Sequence, residues 1–319
     1  MQMPAFSAAF PFIISRQFNL ARCVLGIALL SLLTACGLPL GGADASRLQG
    51  VIVDQQLNEI SGLTASKKHS NIFWVIDDGG NDANLYAIDR FGSRVATYTI
   101  DDIKKTDWED IDRFTANGKS YLVIADTGDN GGLRKTLQLH VLEEPAALSN
   151  QRIRPVRSIA FKFPDGPHDT EAIAVDNATH QVLLITKRRK PPMVFSVKLD
   201  LNNDNVQMAK RLGDVEGVPV ATPAELKARP RLAPYDHQVT AADIAPDARE
   251  ISVMTYRYLL RYPRAPHETW AEALAKKPIR RVLPIIPQAE AMGYTTDGKS
   301  VVATGEFSVA PLYRIPVEP

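Results

Sequence analysis

Apolar residues along this chain come in short runs, not at helical spacing. Ile-Phe-Trp-Val-Ile at 72–76, Tyr-Leu-Val-Ile-Ala at 121–125, Val-Leu-Leu-Ile-Thr at 182–186, Ile-Ser-Val-Met-Thr at 251–255 and Val-Val-Ala-Thr at 301–304 are set off by Gly, Asn, Asp and Pro. Runs of that length between turn formers predict strands. Each run follows a segment of shared character: Ser-Gly-Leu-Thr from 61, Glu-Asp-Ile-Asp from 109, Glu-Ala-Ile-Ala from 171, Thr-Ala-Ala-Asp from 240 and Glu-Ala-Met-Gly from 290. Their first residues lie 48, 62, 69 and 50 apart. A loose period of this size, with several strands per unit, predicts an all-β fold, a β-propeller.

Within a unit the shared segment is the innermost strand and the apolar run is the second. A third strand passes near Tyr86, Leu139, Phe195, Tyr258 or Tyr313, and a fourth forms the outer edge, as at 94–100. Five units fit, and the fifth stops at its third strand, 312–316. The segment 48–53 has no place in the first unit. It is expected to supply the missing outer strand and close the ring, which removes an exposed edge. The longer units leave room for extra strands, so six blades is the alternative. A β-sandwich is a further alternative, but it needs no recurrent Glu-Ala-Ile segment. The fourth unit carries one helical stretch, 268–276, before its outer strand.

The N-terminus reads as a targeting segment, to be set aside before fold reasoning. Arg16 and Arg22 precede an apolar stretch, 23–33, that is short for a membrane span, and it ends in Leu-Thr-Ala-Cys-Gly at 33–37. This resembles the bacterial lipobox. The resemblance implies cleavage before Cys36, a diacylglyceryl group on its thiol and an acyl chain of the palmitate type on its amine. Several chains make a firm membrane anchor. Gly37, where an Asp would retain the protein at the inner membrane, implies the outer membrane and a domain facing the periplasm. The alternative is a plain signal peptide or anchor helix with an incidental cysteine. The expected organisation is a lipoprotein signal peptide at 1–35, a lipidated flexible tether at 36–47 and a propeller at 48–319.

Composition narrows the classes. Of 319 residues 45% are apolar and 23% charged, which excludes disorder and collagen-like structure. Lys+Arg is 37 against Asp+Glu 36, a balance that gives no case for nucleic acid as a partner. Cys23 leaves with the leader, so the mature chain has no thiol pair for a disulfide.

Propeller geometry puts the start of every innermost strand, and the loop after every second strand, on one face. That face should gather Asp107, Glu109, His168, Glu171, His237 and Glu290 with Asp77, Asp78, Asp82, Asp126, Asp129, Asn130, Lys187, Arg188, Arg257 and Glu306. It is acidic in the first two blades and basic in the next two. Glu109, Glu171 and Glu290 share one repeat position and should converge on the channel, where they repel unless a cation sits among them. Hard oxygen ligands suit Ca²⁺ or Mg²⁺. Alternatively, each Glu hydrogen-bonds the backbone of a neighbouring blade. The Asp-rich loops at 77–82 and 126–130 are turns or cation ligands. Lys187, Arg188 and Arg257 are a solvated cluster or hold a phosphate or carboxylate. His168 and His237 are general bases or polar surface. Asp-Leu-Asn-Asn-Asp at 200–204 lacks the Gly and closing acid of an EF-hand and reads as a turn. No nucleophile elbow, phosphate loop, dinucleotide fingerprint or His-Glu-x-x-His is present, and no organic cofactor is indicated.

Ile-Ser-Gly-Leu (60–63), Trp-Glu-Asp-Ile (108–111), Ile-Ala-Asp-Thr-Gly-Asp-Asn (124–130), Asp-Thr-Glu-Ala-Ile (169–173), Val-Thr-Ala-Ala-Asp-Ile (239–244) and Glu-Ala-Met-Gly-Tyr (290–294) occur in that order. Together they resemble a group of bacterial extracytoplasmic β-propeller lipoproteins, over residues 48–319. More distantly the chain is similar to phytase-like esterase and SMP-30/gluconolactonase propellers. That likeness implies the fold and a divalent cation in the central channel; it carries over no catalytic residue. Two functions stay open. One is an anchored binding module for an envelope protein or a small anionic ligand. The other is a divalent-metal-dependent hydrolase of a phosphate ester, carboxylic ester or lactone, with Lys187, Arg188 or Arg257 steadying the anion. A propeller hosts either.

Overall fold

A computed structural model describes residues 45–78, 80 and 82–317. The leader, Cys36 and most of the tether lie outside the described residues. β1 (Arg47–Ile52) precedes the first blade, which is β2 (Ile60–Ala65), β3 (Ile72–Asp77), β4 (Asn84–Asp89) and β5 (Arg94–Ile100). Blade two is β6 (Trp108–Ala116), β7 (Lys119–Asp126), β8 (Leu137–Glu143) and, after the short β9 (Gln151–Ile153), β10 (Arg157–Lys162). Blade three is β11 (Thr170–Asp176), β12 (Gln181–Thr186), β13 (Met193–Lys198) and, after β14 (Gln207–Met208), β15 (Lys210–Asp214). Blade four is β16 (Val239–Ile244), β17 (Glu250–Thr255), β18 (Tyr258–Pro263) and β19 (Ile279–Val282). Blade five is β20 (Ala289–Tyr294), β21 (Ser300–Gly305), β22 (Ala310–Pro316) and then β1, antiparallel to β22, with Arg47 opposite Arg314 and Ile52 opposite Ala310. This is a five-bladed β-propeller closed by its N-terminal strand.

The surplus length of the second and third units makes no sixth blade. β9 adds parallel to β5, and β14 adds parallel to β10. The outer strand expected at 94–100 is therefore covered over Tyr98–Ile100 by a strand from the next unit, not left as an edge. The rest of the surplus forms α1 (Pro223–Ala228) and a 3-10 turn (Ala233–Tyr235), neither of which the sequence pattern anticipates. α2 (Trp270–Leu274) falls inside the expected helical stretch. Thr269 and Glu272 close a reciprocal capping box at its start, satisfying two end donors.

Five apolar clusters fill the five blade-to-blade interfaces. In β12, Val182 and Leu184 belong to the interface with blade two, and Leu183 and Ile185 to the interface with blade four. Alternate side chains leave opposite faces of a strand. A strand sandwiched between blades must therefore be apolar at every position, which is why the second strands read as unbroken runs. The innermost strands crowd around the axis and carry small residues there. A Cβ at Gly62 would collide with the backbone of Asp110 and Ile111, and one at Gly293 with the carbonyl of Leu63.

Candidate functional site

Each innermost strand slips register once, and always at the shared repeat position. The bulges bracket Ser61, Glu109, Glu171, Thr240 and Glu290. A bulged residue leaves the ladder and its side chain is re-aimed. Two of the five are hydroxyls that tie to the next blade: Ser61 Oγ donates to the Trp108 carbonyl at 2.8 Å, and Thr240 Oγ1 to the Ala289 carbonyl at 2.7 Å. The other three are the glutamates, all buried at the channel mouth.

The structure divides these glutamates into two groups. Carboxylate oxygens of Glu109, Asp169 and Glu171 lie within 4.8 Å of one another, and so do those of Asp78, Asp107 and Glu109. Glu290 stands apart. Lys187 Nζ is paired with Glu171 and lies 3.6 Å from Glu290 Oε1, so an ammonium occupies the place between them. Tyr256 donates its hydroxyl to Glu290, and Gln288 donates to Glu306. Of the three residues read as one cation's ligands, the structure thus brings Glu109 and Glu171 together, while Lys187, paired with Glu171, lies between them and Glu290. Asp107 and Asp169 complete the groups. Each stands two residues before a bulged glutamate, in Asp-Trp-Glu and Asp-Thr-Glu, and that repeated spacing was the signal for them.

The electrostatics at the mouth are acidic in excess. Seven carboxyl groups (Asp78, Asp107, Glu109, Asp169, Glu171, Glu290 and Glu306) outnumber the cations that act on them: Lys187, Arg188, the latter 3.0 Å from Asp169 Oδ2, Arg134 beside Asp107 and Lys105 beside Asp78. Burial pushes Asp107 up to about 7, helped by its hydrogen bond to Asp78. Burial, then Glu171, Asp78 and Asp107, holds Glu109 well above the usual carboxylate range. Burial and then Glu290 push Glu306 up to about 9. Lys187 is held above its ordinary range by Glu171 and Glu290 against the cost of burial. Glu109 is only 5% exposed, and its Oε1 has no hydrogen-bond partner among the described residues. That oxygen and Asp107 Oδ2 occupy the place a side chain at Gly128 would fill.

The remaining face residues fall into distinct roles. Asp126 accepts from the N–H groups of Thr106 and Asp107 at 3.0 and 3.2 Å and from Arg134 Nη2 at 2.6 Å. Asp129 accepts from the N–H groups of Leu133 and Arg134 at 2.8 and 3.0 Å. Both carboxylates thereby close their own loop, and Asn130 holds Arg188. Burial pushes Asp77 up to about 7 beside Lys105, and neither of its oxygens has a hydrogen-bond partner among the described residues. Asp82 is exposed. His168 is buried, packed on Phe163 and Phe195 and 2.9 Å from Asp165. His237 is buried, and desolvation with Lys190 nearby lowers its affinity for a proton. Arg257 opens onto a large cavity beside the channel mouth.

A family model described as SdiA-regulated matches residues 45–221, more than half of the chain, and the chain belongs to that family. No curated protein matches it.

Proposed function

We propose that this SdiA-regulated family propeller is a lipid-anchored envelope module whose channel mouth holds a divalent cation and binds an envelope protein or a small anionic ligand beside it. Cys36 carries the anchor in this reading, at the outer membrane and facing the periplasm. Asp78, Asp107 and Glu109 hold the cation, with Asp169 and Glu171 behind them; all are hard oxygen donors suited to Ca²⁺. The observation that carries the reading is the Glu109 carboxylate, whose Oε1 is buried without a hydrogen-bond partner among the described residues and which offers an oxygen within 4.8 Å of those of Asp78 and Asp107. A buried acceptor left alone is costly, and a cation there would satisfy it while offsetting the surplus of acid. The test is a thermal melt with Ca²⁺ or EDTA. Ca²⁺ should raise the midpoint of the wild type and not of Glu109→Gln; a wild type indifferent to both reagents would sink the cation. For the anchor, Cys36→Ser should release the protein from membranes, and retention in a high-salt wash would exclude acylation as the tether.

One observation favours the hydrolase as a second reading. With the cation on the other group, Glu109, Asp169 and Glu171, Asp107, which burial raises to about 7, stands outside the ligands and can take or give a proton near neutral pH. Lys187 is already matched by Glu171 and Glu290, so Arg257 is the cation left to steady a substrate anion. A panel of phosphate esters, carboxylic esters and lactones with added Ca²⁺ separates the two: turnover that Asp107→Asn abolishes supports the enzyme, and none supports the binding module.

A further inference from the structure

Beside the channel mouth lies a cavity of about 1170 Å³. One wall is the connection between blades three and four, with Leu232 and Tyr235. The other is the segment 283–288 between β19 and β20, with Ile285 at its tip, and Phe307 closes the end. Exposed large apolar side chains scattered singly carry no meaning, but a contiguous concave group marks a binding site. Here Leu232, Tyr235, Ile285 and Phe307 are 65, 52, 88 and 48% exposed and line one cavity.

The polar end of this cavity is cationic. Lys187, Arg188, Arg229 and Arg257 line it against a single acid, Asp236. Three of these cations are matched by carboxylates of their own: Lys187 by Glu171 and Glu290, Arg188 by Asp169, and Arg229 by both oxygens of Asp236. Arg257 is not. Its Nε lies 3.7 Å from the already shared Asp236 and donates to Tyr258 Oη at 3.3 Å. Its two terminal nitrogens make no hydrogen bond among the described residues, although a guanidinium presents a fork suited to carboxylate or phosphate.

We infer that this cavity binds a small amphipathic anion, its carboxylate or phosphate on Arg257 and its apolar body along Ile285, Phe307, Leu232 and Tyr235. This deepens the binding reading of the same face by naming the ligand class. It uses none of Asp78, Asp107 or Glu109, so the cation and the ligand stand or fall separately.

The test is calorimetric titration of the full chain bearing Cys36→Ser, so that no acyl chain of its own competes. The probes are decanoate, decyl phosphate, decanol and inorganic phosphate, each run in EDTA and in Ca²⁺. Decanoate, decyl phosphate or both should bind at least tenfold more tightly than decanol, and inorganic phosphate should not saturate. Whichever of the two anions binds more tightly identifies the head group. Arg257→Gln should reduce the bound anion to the decanol level, and Ile285→Asp should weaken anion and alcohol alike, with both variants melting like the parent. Binding of both anions no tighter than that of decanol, an unchanged anion preference in Arg257→Gln, or no binding of any amphiphile would overturn the assignment. Binding that is the same in EDTA and Ca²⁺ sustains it even where the melts show no cation.

Discussion

Glu109 and Asp110 are neighbours on β6, both buried, and their carboxylates meet opposite fates. Glu109 turns to the channel mouth, where Oε1 has no partner among the described residues. Asp110 accepts from the N–H of Ile111 at 2.8 Å and, across the blade interface, from the N–H of Ile173 at 2.9 Å. Deeper along the inner strands the second pattern repeats. Asp112 takes the N–H of Val175 at 2.6 Å, and Asp243 takes the N–H of Tyr294 at 2.7 Å. Asp112 and Asp243 stand three residues after a bulge, and each acts as a clamp onto the next blade. Arg113 lies nearby, donating 2.6 Å to Thr64 Oγ1. Backbone clamping by inner-strand acids was one reading of the three glutamates. The structure gives that work to aspartates one and three residues further along, and leaves the glutamates at the mouth without it. Burial raises the pKa at both levels, but only the deeper level converts its acids into fold.

The sharpest way to break the contrast is Asp110→Ala. It strands two buried N–H donors, at about 1–3 kcal/mol each, and should lower the melting temperature by roughly 5 °C or more in a calorimetric scan. Glu109→Gln under the same conditions should cost little in EDTA. A drop equal to that of Asp110→Ala would show that the mouth is structural as well.

Next in size is the response to cation. Ca²⁺ at about 100 times its dissociation constant stabilises a bound protein by about 2.7 kcal/mol. Calorimetry should find that gain in the wild type and in Asp243→Asn, and find it missing in Glu109→Gln. Loss of the response in Asp243→Asn would merge the two levels into one site.

A pH series sharpens the deeper level. Burial, against the pull of Arg113, pushes Asp243 up to about 6 from 3.8. The folded state therefore holds this proton more tightly than the unfolded chain. The stabilisation it brings is complete below pH ~4 and is lost as pH rises through about 6. Asp243→Asn keeps an acceptor for the Tyr294 N–H and cannot titrate. Between pH 4.5 and 7 the wild type should lose more stability in urea than this variant does, and parallel profiles would place the proton elsewhere.

The smallest effect belongs to Gly128→Ala in EDTA. The atoms nearest its new Cβ are the side-chain ends of Glu109 and Asp107, and the backbone there has no left-handed angle to lose. The melt should stay within about 1 °C of wild type, while the Ca²⁺ response disappears. A large drop without cation would mean that these side chains cannot move aside.

Much of the fold was legible along the chain. Strand runs, bounding turns and the recurring innermost segment are local features, and burial between two blades writes itself as unbroken apolar runs. Ring closure followed from counting, since the fifth unit lacked a strand and residues 48–53 had no other place. The shared position of Glu109, Glu171 and Glu290 was also visible, because a repeat that puts one bulge in every blade must put those side chains at equivalent points. What surrounds them was decided only in three dimensions. Lys187 between Glu171 and Glu290, and Asp107 and Asp169 beside Glu109, depend on side chains from different blades meeting within a few ångströms. So does the cavity, whose walls come from residues 229–238 and 283–288 and have no shared spacing. Periodicity records which way a strand faces, because every residue on it obeys the same alternation. The partner of an ionisable group is set by distances across the closed ring, and no local pattern encodes those.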